Sequence, residues 1–360
     1  MKPKKRKEVP TMKKLKELFS KLKTIDIYKN RKVFYIVPLF IILIMLVCGM
    51  VYQFTDSQQY FANIGIDFQG GTILTIEFQD ADANSEKYDQ NLAVIKSVVE
   101  DVLKEENLTV SRDQKSGEST IIVQYVNFKS GSDDAKRMNQ ANLEIKEILR
   151  QKSDNGEISK ILSINDTTIG NTSSKNLLKT AAIAVVVALA CMLVYIIIRF
   201  DLHSALATIV ALLHDLIIMM SLSVIFYVEI GDSIVAALIT IVAYSINNTI
   251  VVFDKVRSNV KPYKQSKTAY NVSEIVNTSI FSTMTRTIYT TFTTLIVMII
   301  LVAIGVASIR TFGLPIIFGL IAGFYSSVFI AAPLWADFKT LGGKISQGYK
   351  NRKYKKKHAR

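Results

Sequence analysis

The stretch Thr180-Ala-Ala-Ile-Ala-Val-Val-Val-Ala-Leu-Ala-Cys-Met-Leu-Val-Tyr-Ile-Ile-Ile198 decides the architecture. It holds no charge and is apolar on every side. As a helix it would be roughly 28 Å long, close to the thickness of a bilayer's hydrocarbon core. A soluble helix keeps a polar face, and this stretch has none. Taken with its flanks, the run covers 177–198. Five similar runs lie around it, at 33–54, 204–228, 233–253, 284–305 and 312–334. The composition agrees, with 49% hydrophobic residues and a mean hydropathy of +0.27. A polytopic α-helical membrane protein with six transmembrane helices is expected. The first run follows a basic stretch, as a signal peptide would. It is longer than a signal's apolar region and lacks a small-x-small cleavage site, so it reads as an uncleaved span.

The formal net charge of +14 is unevenly spread. Residues 1–32 carry 13 Lys/Arg against 3 acids, and residues 337–360 carry 9 against one. Residues 55–175 carry 13 against 20. Basic segments flanking apolar spans mark cytoplasmic ends that face anionic lipid. No nucleic-acid-binding motif accompanies them, so no nucleic-acid partner is expected. The connections agree. Segment 254–283, read as a loop, holds five Lys/Arg, whereas 229–232 holds Glu229 and Asp232 and no basic residue. Both termini are then cytoplasmic and 55–175 lies outside. Trp335, Tyr35 and Tyr52 fall near span ends, where interfacial aromatics belong. Cys48 and Cys191 both sit in apolar runs, which excludes a disulfide scaffold and a cysteine zinc site. His203, His214 and His358 are too scattered to form a metal cluster.

The acidic middle reads as a folded domain. Strand patterns occupy 72–78, 108–112, 120–128 and 158–164, with a turn at 113–118. Helical spacing of apolar residues runs through 88–106 and 133–151. The order is βαββαβ, an extracytoplasmic α+β ferredoxin-like domain. It offers no catalytic constellation, so a binding or mechanical role is expected and no enzyme activity.

Chemistry is sought inside the spans, where a charged group near the bilayer centre costs about 3 kcal/mol. Asp215 follows His214 about 11 residues into its span, which puts it roughly 16 Å deep. It is either a proton-exchanging carboxyl or an interhelical hydrogen-bonding group. Thr240, Tyr244 and Asn248 recur at i, i+4, i+8 on one helix face, with Asn247 beside Asn248. Two adjacent amides in a span must face other helices or water. Arg286 opens the fifth run, followed by Thr290, Thr293 and Thr294 on a similar face. Asn271 with Glu274 looks like a helix cap, so this helix is expected to start near 272. Arg286 either snorkels to the interface or serves the spans' polar chemistry. Cys48 and Cys191 read as small packing residues.

Several of these stretches resemble one family. Asn63-Ile-Gly-Ile-Asp-Phe-Gln-Gly-Gly-Thr72 is similar to the Gly-Ile-Asp-Phe-x-Gly-Gly-Thr motif of the SecF family, auxiliary subunits of the bacterial protein-export translocase. The Phe after Asp67 favours SecF over its sister SecD. Arg199-Phe200, Ala211-Leu-Leu-His-Asp215, Ala243-Tyr-Ser-Ile-Asn-Asn-Thr-Ile-Val-Val-Phe-Asp254, Ser282-Thr-Met-Thr-Arg-Thr287 and Phe324-Tyr-Ser-Ser-Val-Phe-Ile-Ala-Ala-Pro333 match in order. The resemblance covers about residues 33–335 and places the chain with the resistance-nodulation-division transporters.

The resemblance implies a multi-pass subunit of the bacterial cytoplasmic membrane without cofactor or catalytic residue. Its partners would be a SecD-like subunit, the SecYEG translocon, the translocating polypeptide and membrane lipid, with export driven by an ion gradient. Its parts would be a basic segment 1–32, a first helix 33–54, an external domain 55–175, a five-helix region 176–335 and a basic tail 336–360. Asp67, Gly70 and Gly71 form the structural motif. The two glycines suggest a turn that needs positive φ or close backbone approach. Asp215, His214, Arg286, Asn248, Asn247 and Tyr244 are the ion-coupling candidates. In one respect the chain departs from the family. The fourth-span motif usually reads Tyr-Ser-Leu-Asn-Asp, its Asp being the proposed proton carrier, and here that place holds Asn248. An amide cannot release a proton near neutral pH. Either SecD supplies the acid, or Asp215 takes over, or coupling is altered; proton and sodium both stay open. A small-molecule or lipid exporter of the same superfamily and a passive membrane scaffold are the alternatives.

Overall fold

The computed structural model describes residues 26–55, 61–79, 86–103, 108–115, 118–126, 134–304 and 307–341. Most of both basic end segments, and the centre of the turn at 113–118, lie outside these residues.

Helix α1, Arg31–Thr55, is the first span and exposes apolar residues along its length, among them Val33, Leu39, Phe40 and Val51. A short helix α2, Ile66–Gln69, then leads into an α+β unit. The unit runs β1 Gly71–Phe78, α3 Glu86–Leu103, β2 Leu108–Lys115, β3 Glu118–Val126, α4 Asp134–Asp154 and β4 Ile161–Ile169. The strands form one antiparallel sheet in the order β2-β3-β1-β4. Alternation along β1 buries Thr72, Leu74, Ile76 and Phe78 on one face. They meet Ile121, Val123 and Tyr125 of β3 and, from the helices, Ile95, Val99, Ile145 and Leu149. Strand β4 extends past the expected 158–164 because Asn165, Thr167 and Thr168 pair with β1 up to Gly71. Thr72 and Thr168 share a hydroxyl hydrogen bond of 2.9 Å. Ile158, expected to open that strand, is buried before it, and the Asn91 side chain holds Ser159 by its N–H and hydroxyl.

Five long helices follow: α5 Asn171–Arg199, α6 Leu202–Ile225, α7 Asp232–Ser266, α8 Val272–Ala303 and α9 Ala307–Ser326. A π-helical turn, Ser327–Ala331, continues α9 into helix 332–341. With α1 they make six helices long and apolar enough to cross a membrane. The segment read as a loop at 254–283 is nearly all helix. Helix α7 continues to Ser266, and α8 starts at Val272 with Asn271 accepting from the Ser273 N–H at 3.1 Å. Charge disguised a buried stripe there. Val252, Val256 and Val260 recur every four residues and pack on Val276 and Ile280 of α8. Trp335, expected at the interface, is buried in this same cluster.

Candidate functional site

Three helices converge on Asp215, which has no exposed surface. From α6 its Oδ1 pairs with His214 Nδ1 at 2.8 Å. Its Oδ2 accepts from Ser245 Oγ of α7 and from Ser326 Oγ of α9, the latter at 2.9 Å. Beside this group Thr249 Oγ1 and Ser327 Oγ are 3.2 Å apart, and Ser327 Oγ donates to the Gly323 carbonyl at 2.7 Å. The helices come this close because Gly319 and Gly323, one turn apart on α9, lie against Ile241 and Ser245 of α7. A Cβ at Gly323 would stand 3.3 Å from that of Ser245. The π-helical turn starts directly after Ser326. It inserts a residue into the helix, as π-bulges at functional positions do. Chemically the carboxyl can be held in either form. Hydroxyl donors face it when it is ionised, and the same hydroxyls rotate to accept when it is protonated.

His214 is nearly buried, stacks on Tyr325 with 6.1 Å between ring centres, and has no partner for Nε2 among the described residues. It also lines a cavity of about 330 Å³ between α1 and α6, with Tyr35, Pro38, Ile42 and Leu334. His214 thus stands between Asp215 and that apolar cavity, whose lining it shares with one other polar side chain, Tyr35.

The other candidates do not join this centre. Asn248 is buried and its Nδ2 has no partner among the described residues. The Tyr244 hydroxyl is likewise buried and unpaired. Asn247 points the other way and is exposed, in line with exposed Ala236, Thr240 and Ala243. The face Thr240-Tyr244-Asn248 read from the sequence therefore turns from exposed to buried along its length. Arg286 is exposed and has no partner among the described residues, on a stripe of α8 with Thr278, Ser282, Thr285, Tyr289 and Thr293. Thr290, Thr293 and Thr294 satisfy their hydroxyls on their own helix. Sequence reasoning missed Ser326 and Ser327, although both fall in the sixth-span motif. Nothing local marks them, since their roles come from α6 and α7.

The glycine motif sits at the opposite end of the bundle from the charged α7–α8 hairpin. Gly70 has φ 79° and is buried. A Cβ on Gly71 would press into the Tyr125 carbonyl oxygen and into Ile66. Asp67 Oδ2 accepts from the Asp232 N–H that opens α7, at 3.0 Å. Burial pushes the Asp67 carboxyl above its usual range, while that N–H pulls it back.

Two family profiles match the chain: "Protein export membrane protein SecD/SecF, C-terminal" over residues 149–341, and "SecD/SecF GG Motif" over 63–82. Protein translocase subunit SecF of Acidaminococcus fermentans is 33% identical over 88% of this chain and 98% of its own length. SecF of Alicyclobacillus acidocaldarius is 44% identical over 45% of this chain and 52% of its own. Protein translocase subunit SecDF of Brucella abortus is 31% identical over 77% of this chain. The match spans only 33% of the Brucella polypeptide. The crystal structure of SecDF from Thermus thermophilus superposes with a TM-score of 0.64 at 24% identity, covering 87% of this chain and 38% of that one. The chain is a polytopic helical membrane protein and belongs to the SecD/SecF family of protein export membrane proteins.

Proposed function

We propose that this chain is the SecF-type accessory subunit of a bacterial Sec translocase, that it pairs with a SecD-like membrane subunit, and that it uses an ion gradient to promote late export. One observation carries the pairing. Asn247 on α7 and Arg286 on α8 are both exposed inside helices long and apolar enough to cross a membrane, where lipid offers no hydrogen bond. A second helical bundle would supply partners for both. The Brucella relative supports the reading, because the match leaves room in that SecDF polypeptide for a SecD-like part. Loop charge favours both termini in the cytoplasm and the α+β unit outside. There its βαββαβ order and β2-β3-β1-β4 sheet read as a ferredoxin-like domain. Such a module would meet SecYEG, the emerging polypeptide or the partner. The division into basic end segments, first helix, external domain and five-helix region follows this orientation. The chain acts by movement and ion coupling, not by bond chemistry.

Coupling is assigned to Asp215, with His214, Ser245 and Ser326 holding it, because Asn248 cannot titrate. Purification in mild detergent, with identification of co-purifying chains, tests the pairing. A membrane protein of at least about six spans resembling SecD is expected to co-purify. Recovery of a stable and fully export-active single chain would contradict it.

A further inference from the structure

The sheet of the α+β unit is bolted to the membrane bundle through a small acidic junction. Ile64 and Ile230 form a parallel bridge, with Gly65 N–H on the Ile230 carbonyl at 3.1 Å and Ile230 N–H on the Asn63 carbonyl at 2.7 Å. The Asn63 amide reaches the Tyr227 carbonyl at 3.3 Å. Across this joint Gln124 of β3 donates to Glu229 Oε1 at 3.3 Å, which is the direct side-chain tie from the sheet to the α6–α7 connection. Asp67 and Asp232 close it from α2 and α7. The fit is tight: a Cβ at Gly65 would stand 2.7 Å from Glu229 Oε1, and one at Gly231 would stand 2.6 Å from Asp67 Oδ2. Glu229 and Asp67 therefore sit in a close-fitting seam, beside the exposed side chain of Asp232, with the Gln124 amide between Glu229 and the sheet.

We propose that Glu229 and Asp67, with the charge of Asp232 beside them, form a proton-operated latch that keeps the sheet docked on the bundle while Glu229 and Asp67 hold protons and releases it when they ionise. The groups acting on Glu229 are Gln124, which favours its charge, and Asp67 and Asp232, which oppose it. Asp67 feels Asp232 in the same sense. Lys175 and Lys179 on α5, and Arg310 on α9, are basic residues of neighbouring helices; all three are exposed and none acts on either acid. Burial, first, and like charge push both Glu229 and Asp67 above their usual range in the docked form. Docked carboxyls with raised values bind protons more tightly than released ones. Docking is therefore fully favoured below the ordinary carboxyl range and is lost as pH rises through the raised values. In the proposed orientation the latch would read the pH of the compartment from which protons enter. That clause rests on the translocase reading; the latch itself does not.

The test uses the full chain in lipid nanodiscs, with Cys48→Ala and Cys191→Ala removing the native thiols. Spin labels at Glu147→Cys on α4 and Ser258→Cys on α7 report the separation of sheet and bundle. A single distance is expected at about pH 5, and a second, displaced population at about pH 8, with the equilibrium moving about tenfold for each unit by which docking raises a carboxyl's pKa. Glu229→Gln is expected to hold the docked distance across the range. Asp232→Asn, at an exposed position, is expected to move release to higher pH and covers the case in which Glu229→Gln fails to fold. A parent distribution that does not change with pH overturns the latch. So does a parent-like response in Glu229→Gln, or an unmoved midpoint in Asp232→Asn. The measurement needs neither export nor a partner chain, so its failure leaves the translocase reading untouched.

Discussion

At the level of single residues, Asp215 and Gly71 are held for different reasons. Asp215 was legible in the sequence because a carboxyl in the middle of an apolar run stands out. Its partners were not, because Ser326 lies 111 residues away and arrives only through the crossing of α9 with α6 and α7. Gly71 was legible as a glycine next to a glycine, and the structure separates the pair. Gly70 needs its positive φ, whereas Gly71 needs the space that a carbonyl of β3 fills. Gly71→Val forces β1 away from β3 or strains the strand, and overpacking of that kind costs about 2 kcal/mol. Thermal unfolding of the purified variant is expected to show that loss, together with reduced export and intact spans. Unchanged unfolding and normal export would make the glycine dispensable.

Among the elements, the instructive pair is α7 and α8. Hydropathy located both apolar stretches but ended that of α7 too early, at the point where lysines begin, whereas the Asn271 cap gave the start of α8. Periodicity carried α7 on, and Val252, Val256 and Val260 supply a buried stripe beneath the charges. The same helices sort the polar residues by face. Asn248 looks inward and Arg286 outward, so the two do not form a pair within this chain. That decides the outcome of restoring a family-like acid. Asn248→Asp places a carboxyl inside the bundle without a cation beside it, and the cost is about 3 kcal/mol for an uncompensated charge at that depth. The variant is expected to unfold earlier than the parent in detergent above neutral pH, and to recover as the pH falls and the new carboxyl takes up a proton. Parent-like stability at alkaline pH would show that a cation reaches position 248 after all.

For the whole molecule, a six-helix bundle carries an α+β unit at one end and a charged helical hairpin at the other. Its buried ionisable centre lies midway, and its exposed polar stripe runs along α7 and α8. The class of fold was legible from the six runs, since length and apolarity are set by the bilayer itself. The joint between the two parts was not, because Glu229 and Asp232 appear in the sequence only as charges in a short loop and Asp67 only as part of a motif. In the proposed function ion coupling joins these parts and passes through Asp215. Asp215→Asn keeps an oxygen that can accept from Ser245 and Ser326, so packing is largely retained, with about 1 kcal/mol at stake for a lost interhelical hydrogen bond. What it removes is the proton. The most direct measurement is export by the partnered complex against imposed proton and sodium gradients, for the parent and for Asp215→Asn assembled to the same level. The expected result is export that no longer responds to either gradient in the variant; parental gradient dependence in Asp215→Asn would contradict the assignment and leave Asp215 a packing residue.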